Sequence, residues 1–321
     1  MKGFGKVMLY ILSAVIVLLA LVHLGVTVGY HRFFMNAESR FLVPGMDSPF
    51  VQQGLDYVQE KQVYLISGYM DDGSASRIYI REDGGDVRFV ELKDANGMDY
   101  TRHCGGICHN GRYVYVTDNN GLVVFTLDDI LDGGNATILG QIDTGFEAAF
   151  CTFYDGYLLA GEFYRAGSHE TDSSHCQIAP DGEQNHALIS VFQGSEGAAF
   201  GIMPTPVAAI SIPEQVQGIC FTAEDEIVLS TSYGLASSHL SYHSINTGNV
   251  GRISLSGIEV PLLYLDSTSL TEQVTLPPMS EGILYQDGKV VVMFESASNK
   301  YFFGKFIRGY QVFAYELEEQ S

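Results

Sequence analysis

Residues 105–118 read GGICHNGRYVYVTD, and this stretch contains the pattern that decides the fold. Gly106 precedes an aliphatic residue, Asn110-Gly111 forms a tight turn, and a strand pattern rich in valine and tyrosine follows. Asn-Gly between two apolar segments is a strong signal for a β-hairpin. Four further segments repeat this order: Gln53-Gly54-Leu55 before VYLISGY, Ala149-Phe150-Cys151 before GYLLAGEF, Gln217-Gly218-Ile219 before EIVLSTSY, and Glu281-Gly282-Ile283 before KVVVMFES.

The spacing of these repeats predicts an all-β fold. The equivalent positions 54, 106, 150, 218 and 282 lie 52, 44, 68 and 64 residues apart. Because a four-stranded propeller blade takes roughly 40–50 residues, the pattern predicts a single β-propeller with five visible blades, and six are possible. The two long intervals hold either insertions or a hidden blade. The last repeat ends after about three strands, so the segment before Gln52 is expected to close the ring by supplying a strand.

The first thirty residues predict a membrane anchor. Residues 7–30 form a run of 24 residues without a charged side chain, and about 20 suffice to span a bilayer as a helix. A cleaved signal peptide is the alternative, although its apolar segment is usually shorter. Lys2 and Lys6 favour a cytoplasmic N-terminus, residues 1–6, so the following chain is expected outside the cell membrane. We expect a tether over 31–49, the propeller over 50–317 and a tail over 318–321.

The charge of the chain excludes several classes of function. The chain has 38 acidic and 17 basic residues and a net charge of −21; residues 33–321 contain 17 − 3 = 14 basic residues and all 38 acidic ones, a balance of −24. Such a surface repels nucleic acid, and no phosphate-binding loop for a nucleotide is present. The five cysteines include no C-x-x-C pair, which argues against a zinc ribbon, and buried free thiols are the preferred interpretation. The alternative is one disulfide bond between strands.

Several phrases of the sequence resemble a known group of proteins. They are QGLDY at 53–57, YLISGYMDDGSASRIYI at 64–80, HCGGICHNGRYVYV at 103–116, LSTSYGLASSHL at 229–240 and PPMSEGILYQDGKVVVMFES at 277–296. They resemble an uncharacterised family of secreted or membrane-attached β-propellers from Gram-positive bacteria. The resemblance implies a propeller located outside the cytoplasm. A fainter likeness is to six-bladed propellers of the gluconolactonase and strictosidine-synthase types.

A ring of polar residues is predicted around the central channel. The residues just before each repeat glycine face a common axis, which brings together Gln53, Gln217 and Glu281, with His103 beside Gly105. Carboxylate and amide oxygens suit Ca²⁺, and Gln53, Gln217 and Glu281 are its candidate ligands. The lactonase propellers that the chain faintly resembles use at least two carboxylates, and this ring supplies one. Alternatively, these side chains only satisfy backbone groups and channel waters.

A second set of polar residues follows the second strand of each repeat. Tyr69, Arg165 and Tyr233 are expected around the mouth of the channel, where they would suit a sugar or peptide-like ligand. Arg77 is a further candidate because cations are scarce in this body; its structural alternative is an ion pair with Asp71 or Asp72. Glu295-Ser296 occupies an equivalent position. The loop 166–186 collects histidines and carboxylates at irregular spacing, and a solvated loop is the preferred interpretation.

Together these features favour a membrane-anchored ligand-binding or interaction module at the cell surface. Its partners would be the bilayer, through residues 7–30, and a small molecule or cell-wall component outside the cytoplasm. The alternative is a hydrolase of the lactonase or esterase type, with Glu281 and His103 as catalytic candidates and Ca²⁺ as a cofactor. A structural envelope scaffold is the third class.

Overall fold

The structure, a computed structural model, describes residues 2–245 and 250–317 and is all-β behind an N-terminal helix. Residue 1 and the predicted tail 318–321 lie outside the described residues. The helices are α1 Lys2–Gly29, α2 His31–Asn36 and α3 Leu127–Asp132. Short 3₁₀ turns cover Ser173–His175, Ala199–Gly201, Glu295–Ala297 and Asn299–Phe306. The strands are β1 Ala37–Leu42, β2 Phe50–Val58, β3 Val63–Met70, β4 Arg77–Glu82, β5 Val87–Lys93, β6 Ile107–His109, β7 Tyr113–Asp118, β8 Gly121–Thr126, β9 Gly134–Thr137, β10 Gly140–Ile142, β11 Phe150–Tyr154, β12 Tyr157–Gly161, β13 Gln177–Ile178, β14 Gln184–Asn185, β15 Ala187–Gly194, β16 Ile202–Ile212, β17 Val216–Phe221, β18 Ile227–Thr231, β19 Ser238–His243, β20 Val250–Leu255, β21 Ile258–Tyr264, β22 Leu270–Leu276, β23 Ser280–Gln286, β24 Lys289–Phe294 and β25 Gln311–Tyr315.

Five blades form the predicted β-propeller. Blade 1 has the strand order β2-β3-β4-β5-β9, blade 2 β6-β7-β8-β10, blade 3 β11-β12-β15-β16-β21-β20, blade 4 β17-β18-β19-β22 and blade 5 β23-β24-β25-β1. The innermost strands β2, β6, β11, β17 and β23 contact one another in a closed ring. Apolar clusters fill the spaces between neighbouring blades. The described cysteines are all free thiols, and only Cys176 among them is not buried.

The two long intervals in the repeat hold insertions, so the sixth blade that the spacing allowed is not formed. Between β19 and β22 the chain leaves blade 4, and the hairpin β20–β21 extends blade 3 instead. Its strand β21 pairs in parallel with β16, with Ile210 opposite Leu263. The interval before it holds the long hairpin β15–β16 and the loop that carries β13 and β14. Extra residues therefore widen one blade.

The repeat glycines mark the places where inner strands of adjacent blades approach backbone to backbone. A Cβ on Gly106 would lie 2.7 Å from the backbone nitrogen of Cys151, and one on Gly54 would lie 2.7 Å from that of Ile107. A Cβ on Gly282 would lie 2.5 Å from the backbone nitrogen of Leu55. Because non-bonded carbon atoms normally approach to about 3.5–4.0 Å, no larger residue fits there without movement of the inner strands.

The segment before Gln52 closes the ring, as predicted, through β1. This strand pairs antiparallel with β25, so the first strand of the chain completes the last blade. The preceding helix α2 is also part of the body, because Phe33 is fully buried against Phe294, Phe313 and Tyr315. Residues 31–49 therefore do not form the predicted tether. The Phe33 side chain packs in the crevice between blades 4 and 5 and so holds the helix α2 against the propeller.

The helix α1 is long and apolar enough to cross a membrane. An 18-residue window within Phe4–Gly29 has a mean hydropathy of 2.7, and none of that window is buried. A signal sequence near an N-terminus has the same length and composition.

Candidate functional site

A pocket of about 510 Å³ opens at one end of the central channel. Its walls come from residues near the beginning of inner strands, such as Glu281, and from residues at or just after the end of second strands, such as Tyr69 and Glu295. We call this end of the propeller the pocket face and the other end the opposite face. All five blades contribute, because inner strands begin and second strands end on this side. The pocket is therefore built by the repeat itself.

Irregular pairing at the repeat glycines directs side chains into the pocket. The register between the first and second strands shifts between Gln52 and Leu55, between Val216 and Gly218, and between Ser280 and Ile283. A bulge of this kind rotates the local strand and re-aims a side chain. The residues Gln53, Gln217 and Glu281 lie at these bulges, and all three line the pocket.

Four acidic side chains line the pocket: Asp118, Glu147, Glu281 and Glu295. Two of them accept hydrogen bonds from glutamine side chains. Glu281 is 2% exposed, and Gln217 donates a hydrogen bond from Nε2 to its Oε1 at 3.3 Å. Glu295 lies across the same cavity, where Gln53 donates from Nε2 to its Oε2 at 2.7 Å. Burial raises the pKa of Glu281 well above its ordinary value, and the charge of Glu295 raises it further. Burial also raises the pKa of Glu295, to about 7.

Removing the charge of Glu295 is expected to stabilise the protein at alkaline pH. Its folded-state pKa of about 7 exceeds the ordinary value of 4.5, so the folded state loses stability as pH rises through this window. Glu295→Gln keeps an acceptor for Gln53 and should raise the free energy of unfolding by about 1–2 kcal/mol at pH 8, discounted for partial exposure. Denaturant melts of both proteins at pH 4.5 and pH 8 measure this change in the free energy of unfolding. An equal change at both pH values would contradict the raised pKa of Glu295.

An aromatic wall stands beside the carboxyl groups. Tyr69 stacks on His103 with ring centroids 4.8 Å apart, and its hydroxyl accepts a hydrogen bond from Nζ of Lys300 at 2.6 Å. Lys300 also pairs with Asp71 at 3.6 Å. Burial lowers the pKa of His103 to about 4, so its ring is neutral at pH 7. Tyr301 also lines the pocket, and burial raises its pKa. The wall near Glu295 is thus aromatic, and the Lys300 ammonium lies over its Tyr69 and Tyr301 rings, 4.8 Å and 5.6 Å from their centroids.

The structure brings together most of the residues that the sequence singled out. Six of the eight line the pocket: Gln53, Tyr69, His103, Gln217, Tyr233 and Glu281. Arg165 lies next to it, with its guanidinium 4.2 Å from the centre of the Tyr233 ring. Arg77 lies elsewhere and pairs with Glu91 at 3.1 Å, while stacking over Phe89, rather than forming an ion pair with Asp71 or Asp72. Strand β5 supplies Glu91 directly opposite Arg77, which explains the difference.

The donor set fits a metal ion poorly. The amide groups of Gln53 and Gln217 turn their NH₂ ends to Glu295 and Glu281, which occupies one oxygen of each carboxyl group. Ca²⁺ takes six to eight oxygen ligands. Residues 2–245 and 250–317 contain no group of three or more His, Cys, Asp or Glu side chains placed to hold a metal. The pocket is better suited to hydrogen bonding and charge pairing than to coordination.

Part of the loop 166–186 is buried and borders the same pocket. His175 is 8% exposed, and its Nδ1 lies 3.0 Å from both carboxylate oxygens of Glu162. Burial alone would lower the pKa of His175, but the hydrogen bond and charge of Glu162 raise it overall. A neighbouring cavity of about 410 Å³ includes both residues and shares Phe163 and His169 with the central pocket. Around His175 the loop is therefore a buried wall, whereas residues 166–170 and 172–174 are exposed, as a solvated loop would be.

Glu295 and Tyr301 are the site residues that sequence reasoning did not place in the ring. Glu295 follows β24, and the 3₁₀ turn Glu295–Ala297 begins with it. Its position after a second strand, equivalent to Tyr69, was a signal for the pocket mouth. Nothing in the local sequence distinguishes a side chain that turns toward the axis from one that turns to solvent. The second carboxyl group that the ring lacked is therefore supplied by a different strand.

Solved structures with a related architecture were found, whereas no family model and no curated protein matches the chain. The PQQ-bound aldose sugar dehydrogenase of Streptomyces coelicolor is 16% identical, with 89% of this chain and 82% of that one covered and a TM-score of 0.44. The glutaminyl cyclase of Myxococcus xanthus is 12% identical, with coverages of 88% and 97% and a TM-score of 0.46. A gluconolactonase of Xanthomonas campestris is 9% identical, with coverages of 88% and 96% and a TM-score of 0.42. The faint likeness to gluconolactonase-type propellers is thus confirmed, as a likeness of architecture that carries no argument about function.

Proposed function

We propose that the protein is a membrane-anchored β-propeller whose central pocket binds a small molecule with an ammonium group. The observation that carries this proposal is the placement of Glu281 and Glu295 in one aromatic-walled cavity. Carboxylates attract an ammonium group by charge, and the face of Phe163 attracts it through its π electrons. The other aromatic faces already hold cations of the protein, because Lys300 lies over Tyr69 and Tyr301 and Arg165 lies over Tyr233. The anchor is α1, and the basic residues Lys2 and Lys6 favour placing the pocket outside the cytoplasm.

The charges around the pocket support a cationic ligand. Lys300 donates to Tyr69 and pairs with Asp71, and His103 is neutral at pH 7. The raised pKa values of Glu281 and Glu295 indicate that a negative charge at either position is costly in the free protein. A bound ammonium group would offset that cost, and its binding would displace a proton.

The proposal predicts binding that strengthens with pH. With a pKa of about 7, Glu295 is about one-tenth ionised at pH 6 and about nine-tenths ionised at pH 8. The affinity for ethanolamine or choline, measured by calorimetry on the full-length chain in detergent, should therefore rise up to about tenfold across this range. Glu295→Gln should abolish the pH dependence, and Glu281→Gln should weaken binding at least about tenfold. Glu224→Gln, an exposed carboxylate in the turn between β17 and β18, is the matched control. Affinity that is insensitive to pH and to both substitutions would refute the proposal.

A hydrolase is the second candidate, and one observation favours it. A carboxyl group with a pKa near 7 can act as a general base, and a neighbouring one whose pKa burial raises well above its ordinary value can hold a proton to donate. Glu295 and Glu281 would take these roles, and His103, neutral at pH 7, is less suited to donating a proton. A panel of lactones and esters tests this reading. Turnover that disappears in Glu295→Gln would support it, and turnover that survives would exclude these residues.

A further inference from the structure

The direction in which the anchor leaves the propeller is fixed by contacts on the pocket face. Tyr30 follows α1, and its hydroxyl lies 3.0 Å from Oγ of Ser237, in the loop before β19. Tyr233 in the same loop lines the pocket. Helical hydrogen bonding continues from α1 into α2, through Tyr30 N to Val26 O and Phe34 N to Tyr30 O. These two hydrogen bonds span the junction, where the backbone of Tyr30 (φ −114°, ψ 31°) departs from helical geometry between α1 and α2.

The rest of the junction agrees with this direction. The segment Asn299–Phe306 contacts α1, and its Tyr301 lines the pocket. From Tyr30 the helix α2 runs toward the opposite face, where Glu316 N donates to Asn36 O and Ala37 pairs with Tyr315 at the end of β25. The chain thus enters the propeller at the pocket face, and α1 projects from that face.

The surface next to α1 includes basic side chains. Residues 300–308 contain three of the 14 basic residues found after residue 32, and Lys300 and Lys305 are exposed. Arg308 packs its guanidinium 4.2 Å from the Phe34 ring. Leu235, two residues before Ser237, is 66% exposed. Aromatic and basic residues collect at membrane surfaces, and here they interrupt a body whose overall charge is strongly negative.

From this geometry we infer that the pocket face lies against the bilayer and that the ligand of the pocket is the ammonium headgroup of a membrane lipid. The inference rests on the proposed function and adds the source of the ligand. A pocket on this face is reached along the membrane surface, so a lipid headgroup meets it at high local concentration. A lipid headgroup with an amine supplies an ammonium group that can pair with the carboxylates of Glu281 and Glu295.

The orientation is tested first, with the full-length chain in nanodiscs. A fluorophore is attached at Leu235→Cys on the pocket face or at Glu60→Cys in the turn between β2 and β3 on the opposite face. Both are placed in a Cys176→Ser background, because the other four thiols are buried. A lipid with a headgroup-attached quencher should quench the label at position 235 several-fold more than the label at position 60. Equal quenching, or stronger quenching at position 60, overturns the inference.

The ligand is tested next, by thermal melts in nanodiscs at pH 8. Phosphatidylglycerol nanodiscs are compared with others in which half of the lipid is phosphatidylethanolamine. The ethanolamine lipid should raise the melting midpoint by about 3 °C, and Glu281→Gln with Glu295→Gln should remove this shift while Glu224→Gln retains it. A shift that persists in all variants overturns the inference. If free ethanolamine binds and the lipid gives no shift, the inference fails while the proposed function stands; if neither binds, both fail.

Discussion

Gly106→Ala is expected to prevent the propeller from reaching its native state. The added Cβ would lie 2.7 Å from the backbone nitrogen of Cys151 and 2.7 Å from Cα of Phe150. Both are backbone atoms of the inner strand of blade 3, so no side-chain rotation relieves the overlap. Blades 2 and 3 would have to separate, which would open the closed ring of inner strands. We expect a loss of at least about 4 kcal/mol in the free energy of unfolding, enough to leave a marginally stable domain largely unfolded.

The matched control for this substitution is Gly197→Ala. A Cβ on Gly197 meets no atom within 4 Å, and its backbone conformation is open to alanine. Circular dichroism and thermal melts of the two purified variants make the comparison. The close-approach explanation is wrong if Gly106→Ala melts within about 1 kcal/mol of the parent chain, or if the two substitutions destabilise equally.

Phe33→Ala is expected to destabilise the whole propeller although the residue lies only a few positions beyond the apolar helix α1. Its side chain is fully buried, stacks on Tyr315 at 5.7 Å and contacts Phe313 edge-on at 5.5 Å. Truncating a buried phenylalanine costs about 3–5 kcal/mol through lost burial and a residual cavity. Met35→Ala on the same helix is the control, because Met35 is 80% exposed. Denaturant melts of the full-length variants decide the matter. Equal midpoints for the two variants would mean that α2 contributes nothing to the core.

The repeated glycines made the fold predictable because their role is steric and local. Four of the five repeats have a glycine where inner strands of adjacent blades meet, and Phe150 takes this position in blade 3. A tight turn such as Asn110-Gly111 closes the hairpin. The blade count was harder to predict, because β20 and β21 belong to blade 3 through parallel pairing with β16. Their own residues read as ordinary strands, and no local signal specifies the partner.

The same distinction holds for the site. Gln53, Gln217 and Glu281 were predicted together because each lies at the same position of the repeat, and the bulges there explain why that position faces the pocket. The orientation of the Glu295 side chain depends on the geometry of the 3₁₀ turn after β24. The ion-pair partner of Arg77 depends on which acidic residue lies opposite it on β5. Those choices are made by neighbours in space. Phe33 was missed for a related reason, since six helical residues are too few to show a period.

The pairing of strands far apart in sequence dictates how this protein must fold. Blade 3 is completed by β21, which follows three strands of blade 4, and blade 5 is completed by β1, which is synthesised first. Blades 3 and 5 therefore cannot both be completed by folding the blades one after another along the chain. Blade 5 is complete only when the N-terminal strand β1 has paired with β25. Structures dominated by such non-local contacts fold slowly. Refolding is therefore expected to be slow and to require both chain ends.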